Sequence, residues 1–147
     1  MVPKDNLTSL GTAGFGAVAI CSDFPCELGI EIKGALDETS SADMAQALTE
    51  LAEAPLRSGQ LFQDGQILNN VSLPSFPRFD MAMLVDWESA YGFRFPEPLG
   101  EIGCLRVVPL FATEADFVES HTDRHRGYRA LRNRGMDETD PNRNAII

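Results

Sequence analysis

GEIGCLRVVPLFATEADFVESHTDRHRGYRALRNR, residues 100–134, decides the fold of this chain. Its apolar run, residues 102–110, is interrupted only by Gly103 and Arg106 and carries the β-branched pair Val107 and Val108. That composition predicts a largely buried strand. Pro109, which has no N–H to donate, predicts the strand's end. Thr113-Glu-Ala-Asp116 then places an acid three residues after a threonine, the pattern of a capping box. Glu114 and Asp116 suit the positive end of the helix that follows. Phe117, Val118 and His121 mark the apolar face of that helix, and Gly127 is expected to close it as a C′ glycine. A second short helix is expected over residues 128–134, with Leu131 facing inward.

Upstream, residues 27–33 alternate, with Leu28, Ile30 and Ile32 on one face and Glu27, Glu31 and Lys33 on the other. Period two predicts a half-exposed strand. Ser40 or Ser41 is expected to cap a helix whose stripe is Met44, Leu48, Leu51 and Ala52 and which Pro55 ends. Asp64-Gly65 reads as a turn. Further strands are expected over residues 14–20, 67–73 and 79–85. The glycines at 11, 14 and 16 do not form a phosphate loop, because no Gly-Lys-Ser/Thr follows them. Helices between strands must bury an apolar face against the sheet, so the class is α/β or α+β. At 147 residues the chain reads as a single domain over 1–147. Residues 135–147 read as an extended, polar C-terminal tail whose last residues, Ala-Ile-Ile, are apolar enough to dock.

The formal net charge is −10 and is unevenly spread. Residues 1–112 hold 15 acids and 6 bases, whereas residues 113–147 hold 7 and 6, including five arginines between 124 and 134. An acidic body repels phosphates, which argues against direct nucleic-acid binding and favours a basic protein partner. Hydrophobic residues make up 44% of the chain, but no apolar run is long enough to span a bilayer and no leader pattern opens it, so a cytoplasmic protein with no membrane contact is expected. Three cysteines are too few and too uneven for a disulfide framework. Cys21 and Cys26 flank a turn and can approach each other, but in a reducing cytosol free thiols are expected, with Cys104 a buried apolar residue.

No constellation points to catalysis. His121 and His125 have the four-residue spacing of metal ligands on a helix, but they lack the glutamate of a metalloprotease motif and read as solvated histidines. Asp80, Asp86 and Glu88 straddle an apolar strand rather than forming a carboxylate cluster for a divalent cation. Neither a metal nor a cofactor is expected, and the chain reads as no enzyme. Asp86, Trp87, Glu88 and Tyr91 are more informative: aromatics among acids in a loop match interface composition, so these four are the candidate partner-binding residues.

The order of these motifs resembles the suppressor-of-fused (SUFU-like) domain family, in particular its small bacterial members regarded as immunity or antitoxin proteins of polymorphic-toxin systems. The resemblance runs through Ser9-Leu10-Gly11, Glu27-Leu28, Asp64-Gly65, Val108-Pro109-Leu110, Thr113 to Asp116, Gly127 to Leu131 and Asp140-Pro-Asn-Arg143. Departures are Phe111-Ala112 before the cap, Asp116 in place of glutamate, and Asn144 in place of proline. The longer N-terminal portion of larger members is missing, and the resemblance therefore implies a minimal or N-terminally truncated version of the domain. The resemblance implies a mixed, mostly antiparallel sheet with helices packed on it. It also implies a non-catalytic module that binds and neutralises a cognate toxin, a basic nuclease being the expected partner. The alternative it implies is a regulatory adaptor that holds a protein or peptide partner, which would fit strand addition at a sheet edge.

Overall fold

A computed structural model of the chain describes residues 6–15, 18, 20–21, 25–86 and 103–147. Five strands form one sheet: β1 (Leu7–Gly11), β2 (Cys26–Lys33), β3 (Ile67–Asn69), β4 (Met81–Asp86) and β5 (Gly103–Leu110). Their spatial order is β1-β2-β5-β4-β3, with β2 and β5 parallel and every other neighbouring pair antiparallel. The helices among the described residues are α1 (Glu38–Ser58), α2 (Ala112–Glu119) and α3 (Arg124–Asn133). The expected class, mixed α+β with helices on the sheet, holds.

Strand parity divides the core in two. Leu28, Ile30, Ile32, Leu84, Leu105 and Val107 face α1 and pack with Met44, Leu48 and Ala52. Met83, Val85, Val108 and Leu110 face the other way, onto Ala115, Val118, Tyr128 and Leu131. The sheet is therefore covered on both sides, which is why β5 reads as a continuous apolar run. It also corrects the half-exposed reading of β2. Glu31 is only 9% exposed. The chain after α3 crosses the end of that strand, where the Lys33 N–H donates to Thr139 O at 2.7 Å.

Several local signals resolve differently from their sequence reading. Pro109 does not end β5. It sits opposite Ala82, while the ladder to β2 has already stopped at Arg106, so no N–H is required of it on either side. The cap of α1 is Asp37, whose carboxylate accepts the Ser40 N–H at 2.7 Å, rather than Ser40 or Ser41. Pro55 lies inside the last turn. The helix runs on to Ser58 and closes through Gly59, whose φ of 75° is the left-handed conformation that suits glycine. β3 is only three residues long because Asn70, at φ 57°, turns the chain out of the ladder. The Val18 N–H bonds Phe15 O, and residues 16, 17 and 19 of the strand expected over 14–20 lie outside the described residues.

Cys21 and Cys26 are joined in a disulfide, with Cα atoms 6.1 Å apart, contrary to the free thiols expected. Cys21 is held beside Phe62 in an isolated bridge and Cys26 opens β2, which brings the pair within disulfide reach. Cys104 stays a thiol. Burial, then the charges of Glu27 and Asp86, push it up to about 12. Intact protein at pH 8 is therefore expected to take up no alkylating reagent, one equivalent when denatured without reductant, and three after reduction. Mass spectrometry counts them, and uptake of three without reductant would contradict the bond.

Candidate interaction surfaces and the clasp behind them

The residues after α3, read from the sequence as a tail able to dock, lie against the body of the domain. They return across the sheet and are fixed by two buried ion pairs that sequence reading did not anticipate. The first is built on Glu114. Phe111 is the N-cap of α2, and having no side-chain acceptor it leaves the capping to Glu114, whose Oε1 accepts the Phe111 N–H at 2.9 Å. Thr113, the expected cap, lies inside the first turn and donates instead to Ile147 O at 3.0 Å. Arg143 meets the same carboxylate with both terminal nitrogens, at 2.7 and 2.8 Å. Its Nη2 also donates to Pro109 O at 3.1 Å, and the Ile146 N–H reaches Glu114 Oε2 at 3.0 Å. Phe79 and Phe111 lie against the guanidinium at 5.0 and 5.3 Å. Burial would raise the Glu114 carboxyl. The Arg143 fork, the two backbone N–H groups and the Arg143 charge outweigh it and hold the group below the usual carboxylate range.

The second pair is Arg106 with Glu138, 2.7 Å apart and about 5% exposed on both sides. Arg106 is the charge that interrupts the apolar strand, and Glu138 Oε1 also accepts the Tyr128 hydroxyl at 2.7 Å. Burial and the Glu138 charge raise the tyrosine, so it stays protonated and a donor. The signal for this arrangement was present in the sequence. A lone arginine in a buried strand needs a carboxylate, and Asp140-Pro-Asn-Arg143 supplies an arginine for Glu114.

Gly127 is not a helix terminator but an interior residue of α3. A Cβ there would meet Val118 Cα at 2.8 Å and Val118 O at 3.2 Å. Absence of a side chain lets α3 lie directly on the backbone of α2. The helix begins at Arg124 rather than at Tyr128 because Asp123 caps it, accepting the His125 N–H at 3.0 Å.

Of the four candidate partner-binding residues, Asp86 ends β4 half-buried, and its N–H donates to Asp64 Oδ1 at 2.9 Å. Trp87, Glu88 and Tyr91 lie outside the described residues. Asp86 is brought beside the Asp64-Gly65 turn and the start of α3, where His125 Nε2 meets Asp64 at 2.9 Å and Arg124 donates to Gly65 O at 3.1 Å. The two histidines do not converge, since His121 Nδ1 lies 2.8 Å from Phe117 O. Among the described residues no group of three His, Cys, Asp or Glu side chains is placed to hold a metal ion. Asp80 and Asp86 stand at opposite ends of β4, roughly 20 Å apart at about 3.3 Å per residue, and form no shared site.

Among the described residues, two surfaces away from α3 are open to a partner. The outer side of α1 presents Glu38, Asp43 and Glu50 to solvent. The outer edge of β1 is unpaired among the described residues, and Leu7 on that strand is 49% exposed. No described helix is long and apolar enough to cross a membrane.

A protein described as a SUFU homolog from Neisseria gonorrhoeae FA 1090 superposes with a TM-score of 0.64 at 18% identity, over 93% of this chain and 69% of its own. The Sufu-Fu complex superposes at 0.59 and 12% identity, over 88% of this chain and 60% of that one. These likenesses show a shared fold. The chain spans about two thirds of the length of those proteins. A search of curated proteins finds no match. The family model for suppressor of fused protein (SUFU) matches residues 3–144, nearly the whole chain, and the chain therefore belongs to that family.

Proposed function

We propose that this chain is a non-catalytic immunity protein of the cytoplasm, which binds a toxin and neutralises it by occupying a basic, nucleic-acid-binding surface. The observation that carries this reading is the charge. The net is −10, nearly all of it in residues 1–112, and α1 presents its acids outward. An acidic surface steers a basic partner into contact and competes with phosphate for the same groups. One of the solved relatives is itself a complex, Sufu with Fu, which supports a binding role. Co-expression with the product of the adjacent open reading frame tests the proposal. The neighbour is expected to be toxic alone and silenced in a stable complex. A harmless or non-binding neighbour removes it.

Within such a complex, charge reversal of Asp86 and Glu88 together is expected to slow association about tenfold at low salt and to leave dissociation nearly unchanged. Stopped-flow binding measures both rates, and an unchanged on-rate takes that loop out of the interface. The open edge of β1 favours a second reading, an adaptor that adds a partner's extended segment to the sheet. Salt-insensitive binding of an isolated peptide distinguishes it.

A further inference from the structure

α3 carries four arginines and no acid, in a chain of 22 acids and 12 lysines and arginines. Its buried side is Gly127, Tyr128 and Leu131. At 3.6 residues per turn the opposite side is Arg126, Arg129 and Asn133, and all three are exposed. The neighbouring arginines are engaged within the fold. Arg124 donates to Gly65 O at 3.1 Å, and Arg132 lies 5.7 Å from the Tyr128 ring centre. Arg134, just past the helix, lies 4.9 Å from the ring centre of Phe117. Arg126 and Arg129 differ: neither makes a hydrogen bond, ion pair or ring contact with any described residue. The surplus acids do not reach them. Those of α1 lie across the sheet, since α1 and α3 cover opposite faces of it. Asp123 is taken by the His125 N–H, and Asp116 and Glu119, the exposed acids of α2, form no ion pair with α3.

We infer that the outer face of α3 is a docking surface for an acidic segment of a protein partner, in which Arg126 and Arg129 each pair with one carboxylate. The inference goes beyond the toxin reading, which rests on the acids of α1 and the opposite side of the sheet. A guanidinium offers its donors as a planar fork that matches a carboxylate with two parallel bonds. Three residues of helix separate the two arginines by about 4.5 Å along the axis, the spacing of acids at i and i+3 or i+4 on a partner helix. The charge of the rest of the molecule selects the occupant. A nucleic acid would carry its phosphates past this short face onto the acidic body and be repelled there, whereas a segment with two or three acids ends where the arginines end. A second copy brings its own net charge of −10 and repels the first. Exposed pairs are individually weak, so the face steers and orients a partner rather than holding it alone.

The test uses the intact chain. 15N-labelled protein is titrated at low salt with a helical peptide bearing glutamates at i and i+4, with its glutamine counterpart, and with a short oligothymidylate. Saturable shifts are expected at the amides of Arg126, Arg129 and Asn133 with the glutamate peptide, with a Kd in the millimolar range that high salt weakens about fivefold or more. The glutamine peptide is expected to give none, and the oligothymidylate a response about threefold weaker or less. Arg126→Gln combined with Arg129→Gln is expected to abolish the response with Tm unchanged, because both side chains are exposed and unengaged. An unaltered response in that variant, or shifts centred elsewhere, overturns the proposal. So does tighter binding of the oligothymidylate, which would make the face a phosphate surface. A mass that rises with concentration and falls back in the double variant, measured by sedimentation, overturns it in favour of a second copy. A fall in Tm for the variant would assign the two arginines to the fold instead.

Discussion

Arg143→Ala is expected to destabilise the protein by about 3–5 kcal/mol, because it leaves the Glu114 carboxylate buried without its cation. Both ends of the bond are enclosed, with Glu114 0% and Arg143 8% exposed, so solvent does not replace the lost partner. The interaction also ties the end of the chain to the first turn of α2 and to β5 through Pro109 O. Urea unfolding measures the loss. Glu114→Gln combined with Arg143→Met, which removes both charges, is expected to recover most of it, since a buried pair is worth less than its breaking suggests. If the single and double variants are equally unstable, the ion pair is not the source.

The pH dependence supplies the sign. In the native protein Glu114 titrates below its unfolded value, near 4.5. Its contribution is therefore present above that pH and lost as pH falls through the folded value. In Arg143→Ala the arginine's lowering is gone while burial and the Phe111 and Ile146 N–H groups remain, so the folded value rises relative to the native protein. At pH values between the two folded values the variant therefore binds more protons in its native state and gains less stability as pH rises. The stability difference between the two proteins should accordingly widen from pH 3 to pH 6. Asp137 and Asp37 are also held low, by Thr139 and Lys33 against burial in one case and by Ser40 in the other. They act alike in both proteins and cancel in the difference.

Gly127→Ala is the second large effect, and its direction is opposite to what helix propensity gives. Alanine is favoured over glycine by about 1 kcal/mol in an exposed helix interior. Here the new methyl lands 2.8 Å from Val118 Cα, and backbone cannot rotate aside as a side chain would. The helices must separate, which costs about 1–3 kcal/mol for overpacking. A net loss of up to about 2 kcal/mol is expected, with Tm falling by roughly 2–4 °C for each kcal/mol. A rise in Tm would mean that α2 and α3 do not touch there. Removing His121, whose Nδ1 lies 3.2 Å from the same point, should not rescue the variant while Val118 remains the obstacle.

What the sequence determined by itself was every element whose signal is local and periodic. The apolar run of β5, the alternation of β2 and the stripe of Met44, Leu48 and Ala52 on α1 each state their own geometry, because burial selects apolar residues at the repeat of the backbone. Motif order carried the family assignment for the same reason. Tertiary structure decided where a residue's role depends on something distant in the chain. Pro109 is tolerated because the ladder to β2 has ended beside it, and Glu31 is covered because the chain after α3 returns over it. Thr113 yields the capping role because Arg143, 29 residues beyond Glu114, fixes the competing acid in place. Gly127 reads as a terminator along the chain and as a contact only when Val118 is brought against it. The charged residues of the clasp were visible as letters, but their pairing follows from which side chains share one dry space, and only the packed sheet and helices define that space.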